Sequence, residues 1–216
     1  MEAVKAEINK IPRSLSKQAR RKQLIEATIK CIAEKGLSGT TMADVTQLAG
    51  LSLGIVNLHF QSKEKLLIET LSYISDEYTS GLTKIFNDKN LNTEQKIFAH
   101  INFDFSRKII DRNKLAVWFA FWGETKSRPT YLSICASYIN EIANNLTALF
   151  ALLKQEGNYT KVDPELVCTC YTALSDGLWL DLLMTPKGLK PAQAQLVAMH
   201  YLATQFPSHL KTRTGI

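Results

Sequence analysis

The sequence predicts an all-α protein: a small N-terminal three-helix unit followed by a larger helical body. Three observations predict it. Chain breakers are sparse, with 10 Gly and 6 Pro in 216 residues. Apolar residues recur at helical spacing, and no stretch shows the sustained two-residue alternation with β-branched enrichment that marks a strand. The 45% hydrophobic content is ordinary for a globular chain and excludes wholesale disorder. No apolar run approaches the roughly 18–20 residues of a membrane-spanning helix. Glu2, Lys5, Glu7 and Lys10 interrupt the apolar stretch a signal peptide would need, so a cytoplasmic protein with no membrane partner is expected.

The elements follow in order. A first helix spans roughly Lys17 to Lys35, with Ile25, Thr28 and Ile32 on one face, Leu24 and Cys31 beside them, and Gly36 as its C-cap. Three closely spaced helix starts come next, at Thr41, Ser52 and Ser62, each placing a hydroxyl where free N–H groups need an acceptor. Thr41-x-x-Asp44 resembles a capping box. A long helix from Ser62 toward Ile85 ends at the polar cluster Asn87-Asp88-Lys89-Asn90. Further helices are expected at roughly 93–110, 112–126, 130–155, 163–184 and 191–206, punctuated by Pro129, Asp163-Pro164 and Pro186-Lys187-Gly188. Pro164 and Pro191 suit first-turn positions. The tail from Ser208 to Ile216 is expected to fray.

Residues 41–60 give the first functional signal. A short helix, Gly50 at the turn and a second capped helix of about eight residues form the helix-turn-helix plan of DNA-binding proteins. Val45, Leu48, Ala49, Leu51 and Val56 are the expected small core of that unit. The second helix offers Ser52, Leu53, Asn57 and His59 to a major groove, while the helix starts at Thr40-Thr41 and Lys63 meet phosphates on either side. Charge agrees: residues 1–65 hold 11 Lys+Arg against 6 Asp+Glu, whereas the remainder is nearly balanced at 15 against 14. The segment before residue 17, with Lys5, Lys10 and Arg13, reads either as a solvated tail or as an arm for the minor groove.

Gly36, Thr40-Thr41, Val45, Ala49-Gly50-Leu51-Ser52, Gly54 and His59-Phe60-x-x-Lys63-Glu64-x-Leu66-Leu67 resemble the N-terminal signature of TetR-family repressors over roughly residues 20–67. The resemblance implies a DNA-binding domain over 17–65 and an effector-binding and dimerisation domain over 66–207. Thr46 departs from the family pattern, which has Ala there. Asn57 and His59 stand where Tyr is common; Asn57 suits adenine and His59 suits phosphate, so the chemistry survives while operator preference shifts.

The C-terminal body is rich in aromatic and acidic residues. Trp118 and Trp122 lie four apart, Asp176 and Trp179 three apart, and Asp104 sits between Phe103 and Phe105. Spacing alone leaves two readings open. Such a stripe is either core or a cage in which ring faces and a buried carboxylate hold a cation. Asn102-Phe103-Asp104, Trp118-Phe119-Ala120-Phe121-Trp122 and Ala173-Leu174-x-Asp176-Gly177-Leu178-Trp179-Leu180 resemble effector-domain motifs of the choline-responsive, BetI-type branch of the same family. That resemblance implies choline or a related quaternary ammonium as effector and control of glycine-betaine synthesis or related genes. Residue type and helix phase then assign Trp118, Trp122 and Trp179 to the cage walls and Asp104 and Asp176 to the charge partners, with Asp181 the rival of Asp176. The last two helices, whose apolar faces include Leu189, Leu196, Val197, Met199 and Leu202, pack internally or, as in the family, against a second copy in a four-helix bundle.

Two rival functions stand against this reading. An enzyme lacks support, because no GxSxG, HExxH, GxGxxG or P-loop motif is present and the four His pair with no Cys or carboxylate at ligand spacing. Cys31, Cys135, Cys168 and Cys170 are dispersed and read as small buried thiols, so no metal or cofactor is expected. A ligand carrier without DNA binding is disfavoured by the basic N-terminal third. A repressor of this plan sensing another hydrophobic or cationic ligand, of multidrug type, stays open beside the choline reading. The expected mechanism is a dimer whose two reading helices enter successive major grooves, gated by a ligand through its differential affinity for two conformers, with the long helix from Ser62 as lever.

Overall fold

Nine α-helices and no strand make up the described residues, 17–185 and 187–211, of the computed structural model. Lys5, Lys10, Arg13 and Pro186 lie outside them, and so does the end of the tail beyond Lys211. Contacts divide the chain into two compact units: one formed up to Ile74 and by Ala116–Ile134, the other by Ser75–Leu115 and from Cys135 onward.

In the first unit, α1 (Lys17–Gly39) buries the expected stripe Leu24, Ile25, Thr28, Cys31 and Ile32. Its regular part ends where expected, at Lys35: Gly36 adopts the non-helical φ 71° and ψ 172°, open in practice only to glycine, and kinks the chain before a last stretch to Gly39. The chain then turns once more, with the Thr40 N–H and hydroxyl both donating to the Gly36 carbonyl, at 3.2 and 2.8 Å. Helix α2 (Met42–Ala49) opens on a complete capping box: the Thr41 hydroxyl accepts from the Asp44 N–H, and the Asp44 carboxylate accepts from the Thr41 N–H, both at 3.1 Å. Lys35, donating to Asp44 at 2.6 Å, is the main reason that carboxyl is held down at about 2, with the Thr41 hydroxyl second. Gly50 closes α2 in the left-handed region at φ 64°, as the turn requires.

Helix α3 (Leu53–Phe60) departs from expectation at its start, where Ser52 makes no side-chain cap and only its carbonyl joins the helix, accepting from Ile55 N at 3.0 Å. Val45, Ala49 and Val56 are fully buried as expected, but Leu48 and Leu51 are half-buried; Phe60, at 0% exposure, takes the central place. Buried Thr46 satisfies its hydroxyl on the Ala43 carbonyl at 2.9 Å, so its departure from Ala leaves no unpaired group. Helix α4 (Lys63–Phe86) starts under the Ser62 hydroxyl, which accepts from Lys65 N at 3.1 Å.

The second unit takes in α4 from Ser75, then α5 (Thr93–Asp104), the first residues of α6 (Arg112–Glu124), α7 (Pro129–Glu156) from Cys135, α8 (Pro164–Met184) and α9 (Pro191–Gln205). Helix α5 ends at Asp104 rather than near residue 110, the chain turning through Ser106, whose carbonyl accepts from Ile109 and Ile110. Pro164 and Pro191 occupy first-turn positions, and Asp163 caps α8 through the N–H groups of Glu165 and Leu166. Helix α9 packs on α8 and α5, burying Ala194, Ala198 and Leu202. Met199 and Leu189 are half-buried.

Three expectations need correction. The tail does not fray through Lys211: Leu210 is fully buried and Ser208 N donates to the Tyr159 hydroxyl at 2.9 Å. Cys170 is exposed while the other three cysteines are buried, because two residues of helix turn it away from the face of Cys168. Helix α8 is long and apolar enough, by length and composition alone, to cross a membrane; only a third of that stretch is buried in the chain, and Asp176 lies within the helix.

An alanine Cβ at Gly36 or at Gly123 would meet nothing within 4 Å, so the two sites separate backbone strain from crowding. Gly36→Ala is expected to lower stability by about 1–3 kcal/mol through its φ alone. Gly123→Ala, inside a helix, is expected to gain about 0.5 kcal/mol. Urea denaturation of the two variants checks the contrast; equal effects would refute it.

Candidate functional site

The residues expected to face DNA all belong to the first unit. Leu53 and Asn57 stand exposed one turn apart on α3, with Ser52 exposed before them. Thr41 is exposed and committed to the capping box, its hydroxyl also donating to Asp44 at 2.7 Å. Thr40 is buried, holding the turn after α1. Half-buried Lys63 donates to the Ser38 carbonyl at 3.1 Å at the start of α4. Gln23, donating to the Ala49 carbonyl at 2.7 Å, ties α1 to the end of α2 and fixes the angle at which the pair is presented.

His59 is half-buried, with Nδ1 enclosed and unpartnered. Burial pushes its pKa down, and the positive charges of Lys17, Arg20 and Arg21 push it further. These three cations stand at i, i+3 and i+4 on the first turn of α1. Arg21 is also ion-paired with Glu69 and lies over the Phe60 ring at 5.6 Å. A neutral imidazole in a positive field is a group that a phosphate would drive toward protonation.

In the second unit the acidic and aromatic residues converge. Asp104, 2% exposed at the end of α5, accepts from the Tyr78 hydroxyl of α4 at 2.5 Å and from the Ser175 hydroxyl of α8. Among the described residues it forms no ion pair, so a buried carboxylate is held by two neutral donors. The Tyr78 ring contacts Phe103 at 5.9 Å and the edge of Trp179 at 5.6 Å between centroids. Phe103 comes this close because residue 81 is glycine: a Cβ there would overlap the Phe103 ring. Burial, then the charge of Asp104, push the Tyr78 hydroxyl well above its ordinary pKa.

Asp176 follows Ser175 on α8 and keeps solvent access, yet dense surroundings first, and Asp104 second, raise its carboxyl to about 6. Asp181 is exposed and accepts from the Thr185 hydroxyl at 2.9 Å. Trp179 Nε1, Tyr171 Oη and His100 Nδ1 are buried without hydrogen-bond partners among the described residues. Burial pushes the pKa of His100 down.

Trp118 and Trp122 fall in the first unit, their rings 6.2 Å apart, with Phe119 edge-on to Trp122 at 5.0 Å. The structure therefore pairs them with each other, and gathers Asp104, Asp176 and Trp179 with Tyr78 and Ser175. The last two were missed by sequence reasoning: a Tyr on an amphipathic helix and a Ser on an apolar one carry no local signal. An open groove of about 610 Å³ between α5 and α9, lined by Phe98, Asn102, Gln195, Leu196 and Met199 among others, includes none of the expected ligand residues. Among the described residues no cluster of three His, Cys, Asp or Glu could hold a metal.

Comparison with known proteins places this geometry. Residues 24–70 match the model of the bacterial regulatory proteins of the tetR family, and residues 94–207 match the C-terminal domain of the BetI-type transcriptional repressors. The HTH-type transcriptional regulator BetI of Escherichia coli K12 is 26% identical over 204 residues, covering 92% of this chain and all of that one. A transcriptional regulator from Pseudomonas aeruginosa PAO1 superposes with a TM-score of 0.77 at 25% identity, over 93% of this chain and 97% of that one. Another, from Saccharomonospora viridis and solved in complex with choline, shares the fold with a TM-score of 0.75 at 17% identity, over 86% and 96% of the two chains. The chain belongs to the TetR family of bacterial transcriptional regulators, and its C-terminal domain is of the BetI repressor type.

Proposed function

We propose that this BetI-type repressor binds a palindromic operator as a homodimer in the cytoplasm and is modulated by choline or a related quaternary ammonium, controlling glycine-betaine synthesis or related genes. Residues 17–65 are the DNA-binding domain and 66–207 the effector-binding and dimerisation domain of this reading. The observation that carries the ligand assignment is Asp104: a buried carboxylate with two hydroxyl donors, two aromatic rings nearby and no ion pair among the described residues. A permanent cation supplies the charge that hydroxyls cannot, and ring faces hold its methyl groups without asking for hydrogen bonds. The choline complex of the Saccharomonospora viridis neighbour supports the same ligand class. Asp176 is favoured over Asp181 by the field of Asp104, and Trp179 by its edge contact with Tyr78. The assignment of Trp118 and Trp122 rests on motif resemblance and on their mutual contact.

On DNA, Ser52, Leu53 and Asn57 read bases, while Thr40, Thr41, His59 and Lys63 position the backbone. Homodimerisation is supported by large apolar residues left exposed on α8 and α9, Leu166, Leu180, Met184, Leu196 and Val197. Ligand moves the DNA-binding equilibrium only by its differential affinity for two conformers.

Intrinsic tryptophan fluorescence titrated with choline and with its neutral isostere 3,3-dimethylbutanol tests the ligand. Saturable quenching by choline alone is expected; no response to choline would refute the cation site. Asp104→Asn is expected to abolish the response while leaving operator binding in place. Trp122→Ala is expected to weaken choline by about 1–3 kcal/mol. Operator affinity is expected to fall steeply with salt, as several phosphate contacts demand.

The raised carboxyl of Asp176 also predicts a pH dependence. Its folded pKa of about 6 lies above the ordinary value of 3.8, so the protonated form favours the fold. That stabilisation is complete below pH about 4 and disappears as pH rises through about 6. Chemical denaturation from pH 4 to 7 is expected to show this decline in the wild type and its loss in Asp176→Asn; identical profiles would refute it.

A further inference from the structure

Two large apolar side chains stand in solvent on the short helix α3: Leu53 is 50% exposed and Leu58 76%. The exposure has a local cause. A helical side chain lies over the turn N-terminal to its own Cα. Four residues before Leu58 is Gly54, which offers nothing to cover it; a Cβ there would find only the Ser52 hydroxyl oxygen, at 3.9 Å. Leu58 therefore hangs over bare backbone. Leu53 and Asn57 form the neighbouring column at i and i+4. Val56 and Phe60, both at 0% exposure, seat the opposite side of the helix in the core. Leu53, Gly54, Asn57 and Leu58 thus make one outward strip, small at its centre, against which another surface can come close.

The surroundings say what that surface is. The strip belongs to the same compact unit as Lys17, Arg20 and Arg21, whose charges act on His59 at the end of α3. With Arg21 paired to Glu69 the rim is still net positive, which favours a polyanion over a neutral protein surface. In the major groove of DNA, the feature that suits an aliphatic side chain is the 5-methyl group of thymine, and the feature that suits an adjacent Asn is the adenine edge. We infer that Leu58, together with Leu53, reads thymine methyl groups in each operator half-site, with Asn57 on a neighbouring adenine. The inference rests on α3 being the base-reading helix. It adds Leu58 to the specificity determinants and gives the half-site an A·T step.

The test begins with a duplex selected from a random library by the full-length protein. Each thymine of the selected site is then replaced singly by deoxyuridine, which removes the 5-methyl group and nothing else. At one or two thymines per half-site the wild type is expected to lose about 3- to 10-fold in affinity, the order set by one buried methyl group. Leu58→Ala, or Leu53→Ala for its own position, is expected to lose nothing further at that thymine; both sites are exposed, and circular dichroism confirms the fold. Deoxyuridine tolerated at every position, or penalties unchanged in both variants, would overturn the inference while leaving operator binding intact. An equal loss of Leu58→Ala on selected and random duplexes would also overturn it. Selection of no preferred sequence would overturn the base-reading role of α3 itself, and this inference with it.

Discussion

The second unit is organised around one buried negative charge. Asp104 draws a hydroxyl from α4 and a hydroxyl from α8 onto the last residue of α5, so one carboxylate pins three helices. Removing a carboxylate from water is expensive, and two neutral hydrogen bonds recover only part of that cost. Such a group is poorly explained as a stabiliser, since an apolar residue of similar size would cost the fold less. In the proposed reading a cationic ligand would neutralise the charge that, after burial, raises Asp176 and Tyr78.

Much of the DNA-binding unit was legible because its determinants are local. The capping box at Thr41 and Asp44, the left-handed Gly50 and the Ser62 cap each involve residues within a few positions of one another. The stripe of α1 was legible for the same reason, since helical period decides which residues share a face. What failed depended on contacts further away. Leu48 and Leu51 are as apolar as Val45 yet only half-buried, while Phe60, outside the expected set, is fully buried. Ser52 has the residue type of a cap but not its hydrogen bond. Leu210 belongs to a polar-looking tail that a long-range contact with Tyr159 and its neighbours holds in place.

The residues proposed for the ligand divide along the same line. Asp104, Asp176 and Trp179 were legible as oddities, acids and indoles within apolar helices. Their partners were not: Tyr78 lies 26 residues from Asp104 and Ser175 lies 71 away, and neither type is unusual in its own helix. The chemistry of a site is thus announced by its costly members and completed by its cheap ones. A single sequence shows the cost, because a buried acid violates the pattern around it; it does not show the remedy, because a hydroxyl on a helix violates nothing.

The missing side chain at Gly81 lets the Phe103 ring rest against the backbone of α4, and Phe103 is the residue before Asp104. Any larger residue at 81 must displace that ring, beside the carboxylate that Tyr78 and Ser175 hold. The placing of the buried carboxylate under the Tyr78 hydroxyl thus depends in part on a side chain that is missing, since only a bare backbone at 81 leaves room for the ring beside it.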